Sequence, residues 1–133
     1  MERDNRGRVD VGVGAHFFYF LLLPMKWFTH ILWGVAALAA LRIDPITAAA
    51  ASAVHTAATD LLGHRGLRRS RYHGIISMLA AAAISIYFHS PAYLALGVLH
   101  VLLDWASPGR LAVSWIYNVA WSLPAALLIA LLT

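Results

Sequence analysis

From residue 14 to residue 132 the chain is a succession of apolar stretches with no connection longer than a few residues, which leaves room only for helices packed directly on one another. The stretches lie near 14–24, 27–42, 45–64, 73–88, 92–106 and 111–132. The breaks between them carry helix-stopping residues: Pro24 with Lys26, Asp44-Pro45, the run His64 to Arg71, His89-Ser90-Pro91 and Ser107-Pro108-Gly109. Apolar residues make up 61% and charged residues 12% of the sequence, the latter about half the share of a soluble domain. The expectation is one all-α membrane domain, with a flexible polar N-terminus over 1–13 and a polytopic helical bundle over 14–132. A crossing wants about 20 residues. The stretch 14–24 is therefore read as a short interfacial or re-entrant helix, and the other five as transmembrane helices. Pro24 and Lys26 stand where a signal peptide would have its small-residue cleavage site, which argues against a removable leader.

On that five-crossing topology Arg3, Arg6, Arg8, Lys26, Arg65, Arg68, Arg69, Arg71 and Arg110 fall on one side and Arg42 alone on the other. The positive-inside rule makes the crowded side cytoplasmic and the protein a multi-pass protein of the cytoplasmic (inner) membrane. Trp27, Tyr72, Trp105 and Trp115 fall at the same interface, as an aromatic belt does.

Inside these apolar stretches stand acid and histidine pairs at helical spacing, Asp60-x-x-x-His64 and His100-x-x-x-Asp104. Residues i and i+4 lie about 40° apart on one helix face and roughly 6 Å apart along the axis, so each pair can address one point in space. Ionisable groups at membrane depth cost several kcal/mol by order of magnitude and mark function. His30 near the start of its segment, and His73 at the start of another, reach the same end of the bundle. The metal-ligand candidates are His30, Asp60, His64, His73, His100 and Asp104. Four imidazoles and two carboxylates suffice for one closed or two open metal sites. The sequence holds no cysteine, so thiolate ligands are excluded and a divalent ion such as zinc, manganese, iron or nickel fits, zinc foremost.

At these residues the chain resembles the small membrane-bound predicted metal-dependent hydrolases, a family that includes the LexA-regulated inner-membrane protein and archaeal relatives. Thr29-His30-Ile-Leu-Trp-Gly34 and Asp60-Leu-Leu-Gly63-His64 match its first two motifs. Arg69-Ser70-Arg71-Tyr72-His73-Gly74 resembles the third, and His100-Val-Leu-Leu-Asp104-Trp-Ala-Ser107-Pro108 the fourth. The resemblance covers residues 29–109. It departs at Tyr72 and Gly74, where the family carries hydroxyl residues, and at the second motif, which keeps only Asp60 of a carboxylate-rich version. The family is itself similar to the helical zinc phospholipase C and single-strand nuclease class. The resemblance implies a metal-dependent hydrolase of phosphoesters in which Asp60 or Asp104 serves as base.

Arg65, Arg68, Arg69 and Arg71 form a basic run suited to anionic lipid, and Arg69 in particular is a candidate to hold a substrate phosphate bidentately. The run is too short, and lacks the interleaved aromatics, to bind nucleic acid. Expected partners are membrane lipids, an amphipathic phosphoester such as a phospholipid, and a second copy of the chain through the alanine faces Ala48–Ala53 and Ala80–Ala83. His55 is read as a packing histidine, His16 and His89 as interfacial and solvated, and Asn118 as a hydrogen-bonding partner of a neighbouring helix. Two other readings remain open: a metal or proton transporter using the same residues, and a non-catalytic protein whose metal ties helices together. Transport is disfavoured because the opposite helix halves are almost wholly Ala, Leu, Ile and Val.

Overall fold

The computed structural model describes residues 13–65, 68–69, 72–107 and 114–133, with side chains for 27–63, 72–107 and 114–133. Five helices follow in chain order: α1 (Val13–Ala40), α2 (Pro45–Gly63), α3 (His73–Tyr87), α4 (Leu94–Ala106) and α5 (Trp115–Leu132). Between α2 and α3 two short strands, β1 (His64–Arg65) and β2 (Arg68–Arg69), pair antiparallel with His64 opposite Arg69. A 3-10 turn over Pro91–Tyr93 leads into α4. The short connections make α1 and α2, and likewise α3 and α4, antiparallel neighbours. α1 packs against α2, α4 and α5, and α2 against α3.

The helix ends explain the short connections. α1 stops in a Schellman motif: Ile43 N–H reaches Leu38 O at 3.0 Å and Arg42 N–H reaches Ala39 O at 2.9 Å. α3 ends the same way, with Ser90 N–H on Ser85 O at 3.0 Å and His89 N–H on Ile86 O at 3.2 Å. Both motifs need a left-handed residue, which is Arg42 at φ 64° and His89 at φ 50° in place of glycine. α2 then starts at once. Asp44 caps it by accepting Thr47 N–H at 2.9 Å, with Pro45 in the first turn where a missing N–H costs nothing. Hydrogen bonds from the Thr47 side chain and backbone hold the Asp44 carboxyl below its usual range, which favours the charged form of the cap.

The bundle has two storeys. At the end where α1 meets α2, the side chains of Val35, Leu38, Ala48, Ala51, Ala81, Tyr93 and Leu96 form an apolar core. Alanines there let the helices approach closely. At the other end the buried residues are polar: Thr29, His30, Asp60, His73, His100, Asp104 and Asn118. A close approach of α1 to α2 lies between the storeys. A Cβ on Gly34 would stand 2.6 Å from Ser52 Oγ, so only glycine fits.

Two expectations are corrected. About five crossings were expected, but among the described residues one helix, Trp115–Leu132, is long and apolar enough to cross a membrane. α3 has 15 residues, or about 22 Å of rise against a hydrocarbon layer of about 30 Å. α4 has 13, and 16 with its 3-10 turn. The two Schellman turns and their caps use up residues that the apolar pattern assigns to spans. α2 has 19 residues but spends one face on Ser52, His55, Thr56, Thr59 and Asp60. The second correction is at Pro24. The separate short helix over 14–24 is not formed, because α1 runs unbroken through Pro24 from Val13 to Ala40. A helix that loses one N–H and bends locally need not end, as α5 also shows at Pro124. The expected polar N-terminus over 1–13 lies, except for Val13, outside the described residues.

Arg42→Gly and His89→Gly should each raise stability by about 0.5–1 kcal/mol, because glycine removes the left-handed strain at an exposed position. Thermal unfolding of the two variants checks this; unchanged or lower midpoints would show that neither turn is strained.

Candidate metal centre

Four helices bring ionisable side chains to one point in the polar storey. His30 comes from α1, Asp60 from the last turn of α2, His73 from the first residue of α3, and His100 with Asp104 from α4. The i, i+4 spacing on α4 puts His100 Nε2 3.6 Å from Asp104 Oδ2. His73 Nε2 lies 2.8 Å from Asp104 Oδ2 and 3.8 Å from Asp60 Oδ1. His100 Nε2 lies 3.6 Å from Asp60 Oδ1 and 3.2 Å from His73 Nε2. His30 Nε2 stands 3.4 Å from Asp104 Oδ1, its ring tilted over that of His100 with centroids 4.3 Å apart. All five residues are at most 6% exposed.

These separations are those of a coordination shell. Nitrogen and oxygen ligands about 2.0–2.2 Å from a zinc ion stand roughly 3.3 Å from one another in a tetrahedron. Three imidazole nitrogens and two carboxylates, each with a donor atom turned inward, fall in that range. Two overlapping sets, His30 with His100 and Asp104, and Asp60 with His73 and His100, have their ligand atoms within 4.8 Å of one another. The buried histidine–aspartate cluster is thus able to hold a metal ion. Burial pushes the His100 imidazole down to about 4, so at neutral pH it carries a lone pair to donate rather than a charge.

The surroundings of the rings complete the site. His55 is buried one storey deeper, its Nε2 3.1 Å from Ser77 O and its ring edge-on to His100 at 5.5 Å between centroids. Its imidazole is likewise held below the ordinary value by burial, with the Ser77 carbonyl opposing. The packing role expected for His55 therefore includes a direct contact with a candidate ligand. Ser77 Oγ also donates to Gly97 O at 3.3 Å, joining α3 to α4 just behind the cluster. Gly63 is the contact that motif reading left without a reason. A Cβ there would collide with His73 Nδ1, so glycine at the end of α2 is what lets the His73 ring swing in.

Of the six ligand candidates the structure unites five. His64 lies in β1, next to the cluster in sequence, and its side chain is outside the described residues, as is that of the phosphate candidate Arg69 in β2. His16, Arg65, Arg68 and Arg71 also lie outside the described side chains. His89 is exposed at the opposite end, in the turn expected for it. Asn118 bonds neighbours as expected, through Nδ2 to Ser114 O at 2.9 Å and as acceptor from Thr29 Oγ1 at 2.9 Å.

Fold and site together define a small helical bundle with one candidate membrane-spanning helix and a buried three-histidine, two-aspartate cluster of metal-binding type. No protein-family model, curated protein or solved structure matches the chain.

Gly63→Ala should weaken metal binding and lower stability by roughly 1–3 kcal/mol, the cost of overpacking. Metal content and thermal unfolding of the purified variant check it. Wild-type values for both would mean that the His73 ring does not need this space.

Proposed function

We propose that the chain is a metal-dependent hydrolase of phosphoesters, of the kind its four motifs resemble, working at the cytoplasmic membrane. The observation that carries this is the convergence of His30, Asp60, His73, His100 and Asp104 at one end of the bundle, with donor atoms 2.8–3.8 Å apart in the contacts described above. A purely structural metal in a four-helix junction is satisfied by four ligands in a closed shell. Five donors in two overlapping sets exceed that need. Zinc is the ion this nitrogen and carboxylate set suits best. When bound, it supplies a Lewis acid for a phosphoryl oxygen and lowers the pKa of water toward neutrality.

The chain's own residues divide the remaining work. His30, His73 and His100 would hold such an ion. Asp60 and Asp104 would share its charge, and one of the two carboxylates would accept the proton of the attacking water. Arg69 is assigned to the substrate phosphate, on the ground that it pairs in register with His64 of β1, the strand that follows α2 directly. An amphipathic phosphoester is the substrate class, because large apolar side chains cover the outside of the same helices, among them Ile75, Leu79, Leu102 and Trp105. The cytoplasmic-membrane assignment rests on that surface, on α5 and on the weight of arginine in the sequence. The apolar storey disfavours transport. Buried polar residues of α2 run from Asp60 only as far as Ser52, and beyond them Leu38, Ala48, Ala51 and Ala81, at most 3% exposed, carry no polar side chain.

Elemental analysis of the detergent-purified protein should find zinc or a similar divalent ion at one or two per chain. His100→Ala and Asp104→Asn should each abolish metal retention and hydrolysis of bis-p-nitrophenyl phosphate or of phospholipid vesicles, with His89→Ala changing neither. Full metal content in both site variants would place the ion elsewhere. Metal loss in the variants, combined with no turnover of any phosphoester by the wild type, would leave a structural or transit metal in place of a hydrolase.

A further inference from the structure

α5 supplies no donor to the cluster, yet the first two turns of this helix grip both helices that carry the His30–Asp104 contact. Thr29 Oγ1, buried, donates to Asn118 Oδ1 at 2.9 Å and lies 3.2 Å from Ser122 Oγ. Ser122 Oγ in turn donates to Asn118 O at 2.7 Å, and Asn118 Nδ2 to Ser114 O. One turn further along the same stripe of α1, Trp33 Nε1 donates to Trp121 O at 2.9 Å. On the other side the Tyr117 hydroxyl donates to Ala106 O, two residues beyond Asp104 at the end of α4. The Thr29 and Trp33 bonds tie α1 to α5, and the Tyr117 bond ties α5 to the end of α4.

Resting on the metal-centre reading above, we infer that Thr29, Asn118 and Tyr117 are positioning residues for that centre: α5 is a strap that sets the rotation of α1 and the end of α4, and so the approach of His30 to Asp104. Consecutive helical residues point about 100° apart, so Thr29 faces α5 while His30 faces the cluster. A rotation of α1 by about 10° moves a side-chain end some 5–6 Å from the axis by roughly 1 Å. Metal–ligand distances tolerate only about 0.2 Å. Nonspecific apolar packing between α1 and α5 leaves such a rotation soft; a buried hydroxyl held by an amide and a second hydroxyl does not. The strap acts only through His30 and Asp104 and touches no substrate.

Cobalt(II) titration of the purified full-length protein, read by its visible absorption, tests this. Thr29→Val keeps the side-chain shape and removes the hydroxyl. It should weaken cobalt binding about 10–100-fold, the usual effect of removing a group that orients a ligand, and alter the ligand-field bands. Thr29→Ser should restore both affinity and bands. Asn118→Leu should behave as Thr29→Val, and Tyr117→Phe should shift the bands in the same sense. Leu38→Ala, which opens a cavity in the apolar storey, should lower the unfolding temperature while leaving affinity and bands as in the wild type. The inference is overturned if Thr29→Val binds cobalt with wild-type affinity and spectrum, or if Leu38→Ala weakens binding as much as Thr29→Val does. Failure of the wild type to bind cobalt at all would overturn the metal-centre reading and this inference with it.

Discussion

Two carboxylates buried among helices set the terms for the rest of this molecule. Asp104 and Asp60 are 4% and 6% exposed. An ionised carboxylate taken out of water costs several kcal/mol unless partners replace the lost hydration. Here the partners are imidazole nitrogens within 4 Å: His73 and His100 facing Asp60 from other helices, and His30, His73 and its own helix's His100 facing Asp104. Removing one partner of such a buried pair costs about 3–5 kcal/mol, of the same order as the roughly 2–5 kcal/mol for truncating a core leucine such as Leu38 to alanine. The polar end therefore constrains how the helices are arranged as much as the apolar end does. It accounts for the short exit from α2, for glycine at 63 where His73 must enter, and for His73 at the very start of α3.

Imidazoles neutralise two carboxylates only when two of them are protonated, and burial works against that at His100. A divalent cation would resolve the conflict. It would supply the positive charge while the histidines stay neutral, and it would use the same inward-facing lone pairs. This is the physical link between the burial of the cluster and the hydrolase reading, since the charge that stabilises the folded site is also what activates water and phosphoryl oxygen. The division into storeys serves the same end. The apolar storey closes the bundle behind the cluster, with His55 and Ser77 as the transition.

Much of the site was legible in the sequence because its signals are local. A carboxylate and a histidine four residues apart must share a helix face, and a residue next to a proline or a polar run must sit near a helix end. Those two facts bring Asp60, His73, His100 and Asp104 together without any knowledge of packing, whereas His30 was placed with them on a helix start near residue 27 that is not formed, since it lies within α1. The helix breaks at Asp44-Pro45 and at His89-Ser90-Pro91 were legible for the same reason. Pro24 misled because proline lowers the stability of a helix locally and the neighbours of α1 decide whether it continues. The number of crossings misled because apolar residues mark burial or lipid contact equally well, so that α3 and α4, with 15 and 13 residues, read as spans although they fall short of the hydrocarbon layer.

By itself, then, the sequence determined a cysteine-free, all-helical chain with histidine and carboxylate ligands gathered at helix ends. Only the tertiary structure decided that, among the described residues, one helix, α5, is long and apolar enough to cross a membrane. It also decided that Gly63 gives way to the His73 ring, that His55 backs His100, and that Thr29 meets Asn118 across 89 residues of chain. The reason is that residue type and spacing specify direction within a helix, whereas the rotation and closeness of two helices come from the fit of all their side chains at once, which no single segment contains.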